Sequence, residues 1–360
     1  MIKKIAIKIM HYFHCLNERK RWKHMEIGKY LEEGIYEVIC PGRSFLVKEG
    51  TPIAFIQMIS KRTEAPLVKN IKVYNIYGNG ATFRGQIAMS TDSGYRYFDY
   101  KRGESCKVFN NLEEAAQTNN AFLTFRSFFE TTILSINNDY CIEKIINNKP
   151  RNEWNEAEVL FSYKHIIENY ISYIKFVGDK KQFVIRPVGY GISLPNSINA
   201  ACKSLYLDIV ANISSLNEVC YMFCHRDLHF GNTLMEGDKL YLIDYDFSKE
   251  EVFFYDLFNV MYVEFTDWHN TNLLDMYLRE DNEISSLFRG AFSAIGTQFE
   301  SSKKVEYIYV FLLSRFACFI LDPYRQALKK NSEKQVISIC SKINNFMIYI
   351  KEKNYELQIH

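Results

Sequence analysis

Proline is scarce in this chain, with 7 residues in 360, and tryptophan is scarcer still at 3. Glycine contributes only 16. So few breakers exclude a collagen-like repeat and a proline- or glycine-rich linker chain. An excess of one charge is missing as well. Lys and Arg total 44 against 42 Asp and Glu, a formal charge of +2, so bulk charge gives no ground for polyanion binding, and nucleic acid is not expected as a partner. No apolar run is long enough for a bilayer. The most apolar, Tyr307 to Leu321, is short and carries Arg315 in its middle, so it is expected as a buried helix. The 9 cysteines show no zinc-type spacing, and an odd number in a large chain fits reduced thiols in the cytoplasm better than a disulfide framework. Cys220 and Cys224 are expected as small buried apolar side chains. The opening residues, Met1 to Met10, interrupt their apolar positions with lysines and lack the continuous core and cleavage site of an export signal.

What is present is an ordinary globular balance, 48% hydrophobic and 24% charged, on a chain long enough for two lobes around a cleft. Aromatic residues make up 15%, which suits a dense core or a stacking pocket. Residues 1–29 read as a basic helical segment. Lys3, Lys4, Lys8, Arg19, Lys20, Arg21 and Lys23 give it either a solvated face or a peripheral contact with the inner face of the cytoplasmic membrane.

Residues 30–148 are rich in short β-type runs between turn signals, which predicts an antiparallel meander. The runs include Gln86 to Ser90, Tyr95 to Tyr100 and Ser105 to Phe109. A helical pattern follows from Leu112 to Phe129. Two further strands, Thr131 to Ile136 and Tyr140 to Ile146, are expected around the turn Asn137-Asn138-Asp139. From 149 to 360 the pattern is mainly helical. Cys202, Leu205, Ile209, Ile213 and Leu216 form one stripe at helical spacing behind an Asn196 or Ser197 cap. Short strands are expected to return only at Tyr221 to Phe223 and Leu240 to Ile243. The fold class is therefore α+β, with a β-rich first half and a helical second.

The chemistry concentrates in His225-Arg226-Asp227-Leu228-His229-Phe230-Gly231-Asn232 and in the apolar strand that ends at Asp244. Phosphoryl transfer from a magnesium nucleotide needs a carboxylate to accept or orient the proton of the attacking hydroxyl, and hard oxygen ligands to hold the metal. Asp227 suits the first role, as the catalytic residue. Asn232 and Asp244 suit the second, as metal ligands: one is a neutral carbonyl oxygen, the other a carboxylate. A bare His-x-Asp-x4-Asn pattern arises by chance in about 4% of chains of this length, so the pattern alone would not decide the matter. Its place before a hydrophobic strand ending in Asp, in the second half of the chain, does.

These segments, with Tyr255-Asp256-Leu257-Phe258-Asn259-Val260 after them, resemble the aminoglycoside phosphotransferase and choline/ethanolamine kinase group of the protein-kinase-like superfamily. Kinases of lipopolysaccharide or capsule sugars share the same pattern. His229 stands where protein kinases carry Lys, and Asp244-Tyr245-Asp246 replaces their Asp-Phe-Gly, as in the small-molecule branch. The resemblance is strong over residues 220 to 265 and elsewhere concerns element order. It implies a two-lobed kinase-like fold, ATP and Mg2+ as cofactors, and a hydroxyl on a small amino alcohol, an aminoglycoside or an envelope sugar as acceptor. It also implies that Asp256 anchors the catalytic loop through Arg226 or the loop amides.

The first lobe should then cradle the nucleotide with a glycine hairpin and a lysine. In one register Thr91-Asp92-Ser93-Gly94 is the phosphate loop, with Ser93 and Gly94 as nucleotide contacts and Lys107 as the lysine. In the other, Gly78-Asn79-Gly80 is the loop and Lys101 the lysine. Lys107 is favoured because its run ends a strand and a helix follows. A partner glutamate is expected near Asn119, where none stands; Glu113 and Glu114 come early, on the first helical turn, where negative charge suits the helix end in any case. Glu143 falls where a hinge between lobes would meet adenine. Trp268, Tyr262, Phe316 and Tyr324 are the available aromatic faces for a quaternary ammonium such as choline. A pseudokinase-like nucleotide-binding module, a protein kinase, and metal hydrolysis at His225, Asp227 and His229 are the competing functions.

Overall fold

Runs of β-branched and aromatic residues between turn residues dispose the first part of the chain to strands. The computed structural model describes residues 27–39, 45–60, 69–76, 82–91, 94–196, 198–237, 239–279, 282–322 and 333–359. Two compact units are found: Met1–Asn119 with Thr132–Pro150, and Asn120–Thr131 with Arg151–His360. The expected boundary between 148 and 149 thus lies two residues from the observed crossing at Pro150, but residues 120–131 count with the second unit.

In the first part of the chain the elements run β1 (Gly34–Ile39), β2 (Phe45–Lys48), α1 (Ile53–Ser60), β3 (Lys69–Ile76), β4 (Ile87–Thr91), β5 (Gly94–Asp99), β6 (Glu104–Val108) and α2 (Leu112–Phe125), whose residues from Asn120 on count with the second unit. After β7 (Glu130–Thr131) come β8 (Ile133–Ile136) and β9 (Tyr140–Lys144). Eight strands form one antiparallel sheet in the order β3-β1-β2-β4-β5-β6-β9-β8. Successive residues of a strand point to opposite faces, and here both faces are buried. Leu46, Ala88, Tyr97 and Cys106 pack with Leu31, Tyr36 and Phe83 in one core. Phe45, Val47, Ile87, Met89 and Phe98 pack with Ile56 of α1 in the other.

Two sequence expectations are corrected here. The helix ends at Phe125 instead of continuing to Phe129. The expected strand from Thr131 to Ile136 is two pieces with different partners, since β7 pairs in the second unit while β8 stays in the sheet.

The second unit continues with α3 (Glu156–Asp179), β10 (Val184–Pro187), α4 (Ala200–Ala211), β11 (Glu218–Cys224), β12 (Thr233–Glu236), β13 (Lys239–Leu242) and β14 (Lys249–Val252). Then follow α5 (Tyr255–Trp268), α6 (Asn272–Leu278), α7 (Glu283–Ala294), α8 (Lys304–Phe316) and α9 (Glu333–Ile359). Strands β10, β12 and β14 lie beyond the two expected there. They complete two small sheets, β10-β11-β14 and β12-β13-β7. Helix α3 starts in a reciprocal capping box of Asn155 and Glu158, an arrangement that satisfies two end amides at once.

Helix α4 is capped by Asn199, whose Oδ1 accepts the Cys202 amide at 2.8 Å, instead of by Asn196 or Ser197. The apolar run from Tyr307 is the buried helix α8, continued by a π-helical turn, Ala317–Leu321. Among the described residues no helix is long and apolar enough to cross a membrane. The class observed is the expected α+β, a β-rich unit and a mainly helical one. The basic segment before Ile27, Ser93, Gly78 to Gly80 and Tyr324 lie outside the described residues.

Candidate active site

The loop between β11 and β12 is held by a single buried carboxylate. Asp256, fully buried at the start of α5, accepts the His225 amide at 2.7 Å and the Tyr170 hydroxyl at 2.7 Å on Oδ2. Its Oδ1 accepts the Arg226 amide at 2.8 Å. Burial pushes the Asp256 carboxyl up, against the His225 charge and these three donors. The loop amides do the anchoring, while the Arg226 guanidinium turns to Glu251 at 3.5 Å and Asp322 at 3.6 Å.

Strain gathers at the same place. Arg226 and Asp244 take φ of 62° and 64°, a left-handed conformation that costs about 1–3 kcal/mol for a residue other than glycine. Among the described residues the two others, Lys181 and His269, stand at helix ends, where this conformation is ordinary.

Asp227 and Asn232 meet. Asn232 Nδ2 donates to the Asp227 carbonyl at 2.8 Å and approaches its Oδ2 at 3.4 Å. Ile243 connects them to the following strand: its amide donates to the Asn232 carbonyl at 3.1 Å, and its own carbonyl lies 3.0 Å from His225 Nε2. Asp244 is the next residue, exposed, with no side-chain bond to the turn it opens.

The donor set fits a hard divalent cation. With Nδ2 committed to Asp227, the Asn232 side-chain oxygen Oδ1 accepts no described hydrogen bond, and Asp244 adds a carboxylate. Two protein oxygens suffice for Mg2+, which takes its other ligands from phosphates and water. Among the described residues no group of three or more His, Cys, Asp and Glu could hold a metal alone. The imidazoles are engaged elsewhere: His229 Nδ1 accepts the Gly231 amide at 3.0 Å. Burial lowers the His229 pKa, and His225 and Arg315 lower it further against Asp227, so this ring favours the neutral form that can accept.

In the first unit Lys107, on β6, lies opposite Arg96 of β5 and Cys141 of β9. Its Nζ is 3.3 Å from Oε1 of Glu114, on the first turn of α2, with both side chains largely buried. The expectation that the partner belongs near Asn119 is corrected. Only a short link separates Val108 from Leu112, so the first turn of the helix, and not the second, reaches the lysine. Glu114 Oε2 also accepts the Asn110 amide at 2.9 Å. Gly94 opens β5 opposite Thr91, at the hairpin. Lys101 is in the β5–β6 turn, exposed, 3.3 Å from Glu32.

Glu143 is the residue expected at a hinge. It stands inside β9, paired with Ser105 of β6 and Ile133 of β8, and its buried carboxylate meets Arg96 at 2.7 Å and Thr132 at 3.1 Å. Its backbone is paired within the sheet on both sides.

Two aromatic faces that would suit a quaternary ammonium are taken by the chain's own guanidinium groups. Arg315 lies 4.0 Å from the Tyr262 ring and 4.2 Å from Phe319. Arg151 lies 5.2 Å from Trp268 and 5.8 Å from Trp154 and Phe230, paired with buried Glu264. Phe316 is fully buried in the core. Sequence reasoning gave neither arginine a part in the site. The available signal was a charge inside the most apolar run.

The arrangement is a carboxylate beside an amide, joined to a second carboxylate by one strand end. Residues 218–290 match the model of the phosphotransferase enzyme family. No curated protein matches the chain in sequence. Among solved structures the chain is similar to a choline/ethanolamine kinase family protein from Mesorhizobium loti, 11% identical, covering 72% of this chain and 83% of that one, TM-score 0.40. A choline kinase from Streptococcus pneumoniae is 10% identical, with 72% and 91% covered and a TM-score of 0.41. A macrolide 2′-phosphotransferase from Brachybacterium faecium is 11% identical, with 71% and 90% covered and a TM-score of 0.39. Likeness at this level assigns no residue a role.

Proposed function

We propose that the protein is an ATP-dependent kinase that moves the γ-phosphoryl group to a hydroxyl of a small molecule or a cell-envelope sugar. The observation that carries this is the junction of Asp227, Asn232 and the Ile243–Asp244 strand end, held from below by Asp256. Asp227 takes the hydroxyl proton as the acceptor oxygen bonds to phosphorus and the bond to the β-phosphate oxygen breaks. Asn232 and Asp244 would hold Mg2+, which when bound would neutralise charge on the phosphate oxygens. Lys107, oriented by Glu114, is the lysine for the nucleotide phosphates, and the segment Thr91 to Gly94 is the phosphate loop.

The pseudokinase alternative drew on a missing helix glutamate and an unclear glycine loop, and the Lys107–Glu114 pair removes the first of these grounds. Choline is disfavoured among acceptors because the aromatic faces already carry guanidinium charge. We assign the protein to the cytoplasm, with the basic residues 1–24 as its segment for an anionic membrane face. Asp227→Asn should lower kcat by about 100- to 10,000-fold while Mg-ATP still binds, as measured by ADP release and by calorimetry. Wild-type turnover in that variant would end this reading.

A further inference from the structure

Arg315 ends α8 in the most apolar part of the chain, with 8% of its surface accessible. A buried guanidinium normally finds a carboxylate. Arg226, in the same unit, is met by Glu251 and Asp322. Arg315 is not: among the described residues no carboxylate stands within ion-pair distance of it. Its Nη1 donates to Asn259 Oδ1, and the rings of Tyr262 and Phe319 lie against it. These groups fix the direction of the guanidinium and leave its charge unmatched.

Asn259 is itself immobilised. It is fully buried, and its Nδ2 donates 2.8 Å to the carbonyl of Leu228, the residue after Asp227. The cation is therefore held one side chain away from the backbone of the candidate base. The π-helical turn from Ala317 to Leu321 places Phe319 on it, and such wide turns are frequent at functional sites. If Arg315 served only to balance Asp227, direct contact would be the most favourable arrangement. The structure instead holds the arginine on Asn259, with donors left for another anion. Guanidinium forks suit carboxylate and phosphate groups.

We propose that Arg315 is the specificity-determining residue for the acceptor, and that the acceptor carries a carboxylate or phosphate group beside the hydroxyl to be phosphorylated. This rests on the phosphotransferase reading and names its substrate class.

The test uses the full chain saturated with Mg2+ and AMP-PNP, so that the γ-phosphate position is filled. Inorganic phosphate, acetate, glucose 6-phosphate, glucuronate, glucose and choline are titrated by calorimetry into wild type, Arg315→Gln and Arg315→Lys. Phosphate or acetate should bind to wild type. Of the sugars, glucose 6-phosphate or glucuronate should bind at least about tenfold more tightly than glucose, and which one does so identifies the anion. Arg315→Gln should abolish the preference. Arg315→Lys, which keeps the charge but not the fork, should retain part of it, and it stands in if the Gln variant fails to fold. Wild type that binds AMP-PNP with Mg2+ yet neither phosphate nor acetate, or that binds glucose or choline as well as the anionic sugars, overturns the proposal and leaves the kinase reading intact. A preference that survives in Arg315→Gln also overturns it. Failure of wild type to bind AMP-PNP with Mg2+ overturns the kinase reading instead.

Discussion

His229 and Gly231 explain each other. A Cβ on Gly231 would lie 2.6 Å from Cε1 and 2.9 Å from Nδ1 of the His229 ring, closer than any side chain tolerates. Glycine is needed here because an imidazole packs on the backbone to accept its amide, and not because of a left-handed φ. That amide bond requires a neutral ring, and burial already lowers the His229 pKa below its ordinary value. The sign follows. With the folded value depressed, the stabilisation is fully present above the unfolded value of about 6.5 and is lost as pH falls through the folded one. Thermal midpoints of wild type should therefore decline on acidification below about pH 6.5 more steeply than those of His229→Gln, which cannot titrate. Parallel pH profiles of the two would exclude this account of the ring. The same residues show why only part of the site was legible. A His-x-Asp-x4-Asn spacing and an apolar strand ending in Asp are local, so Asp227, Asn232 and Asp244 could be named from them, whereas a long-range partner such as Asn259 for Arg315 leaves no trace in spacing.

Helix α3 reaches the catalytic loop through one hydroxyl. Tyr170 donates to Asp256 at 2.7 Å within a fully buried pair, and Tyr163, two turns earlier, donates to the Leu257 carbonyl at 3.0 Å. A hydrogen bond to a charged acceptor contributes about 1.5–3 kcal/mol. Tyr170→Phe should lower unfolding free energy by that order in urea titrations, with kcat reduced as well, since Asp256 also positions the amides of His225 and Arg226. An unchanged midpoint would show that the hydroxyl is not needed there. Elements were readable where their period was clear: the strands around Ala88, Tyr97 and Cys106 lie where the pattern puts them, and so does the helix at Ile209, although it ends at Ala211 and leaves Ile213 and Leu216 of the expected stripe outside it. Strands β10, β12 and β14 were not, because each is four residues long and too short to show a period. Glu114 was visible on the first helical turn, but charge at a helix start has a sufficient local explanation, and only the short link after Val108 shows that it serves the lysine too.

The division of the chain is not a single cut. Residues 120–131 count with the second unit although 132–150 return to the first. That inserted segment is core material. Phe125 and Phe129 are buried, with the Phe125 ring 5.1 Å from Tyr173, 6.2 Å from His225 and 6.3 Å from Tyr245. Strand β7 adds a parallel pairing to β13, Glu130 with Tyr241 and Thr131 with Leu242. Truncating one buried Phe costs about 3–5 kcal/mol, and losing two removes most of the 5–15 kcal/mol that holds a typical domain together. A fragment starting at Arg151 looks like a natural domain in the sequence, but it would leave the Phe125 space open beneath the catalytic loop and the β13 edge unpaired. A fragment from Asn120 keeps both. Followed by circular dichroism, residues 120–360 should melt in one cooperative transition, and residues 151–360 should either show none or melt far lower. Equal midpoints for the two would mean that the second unit does not depend on the borrowed helix end.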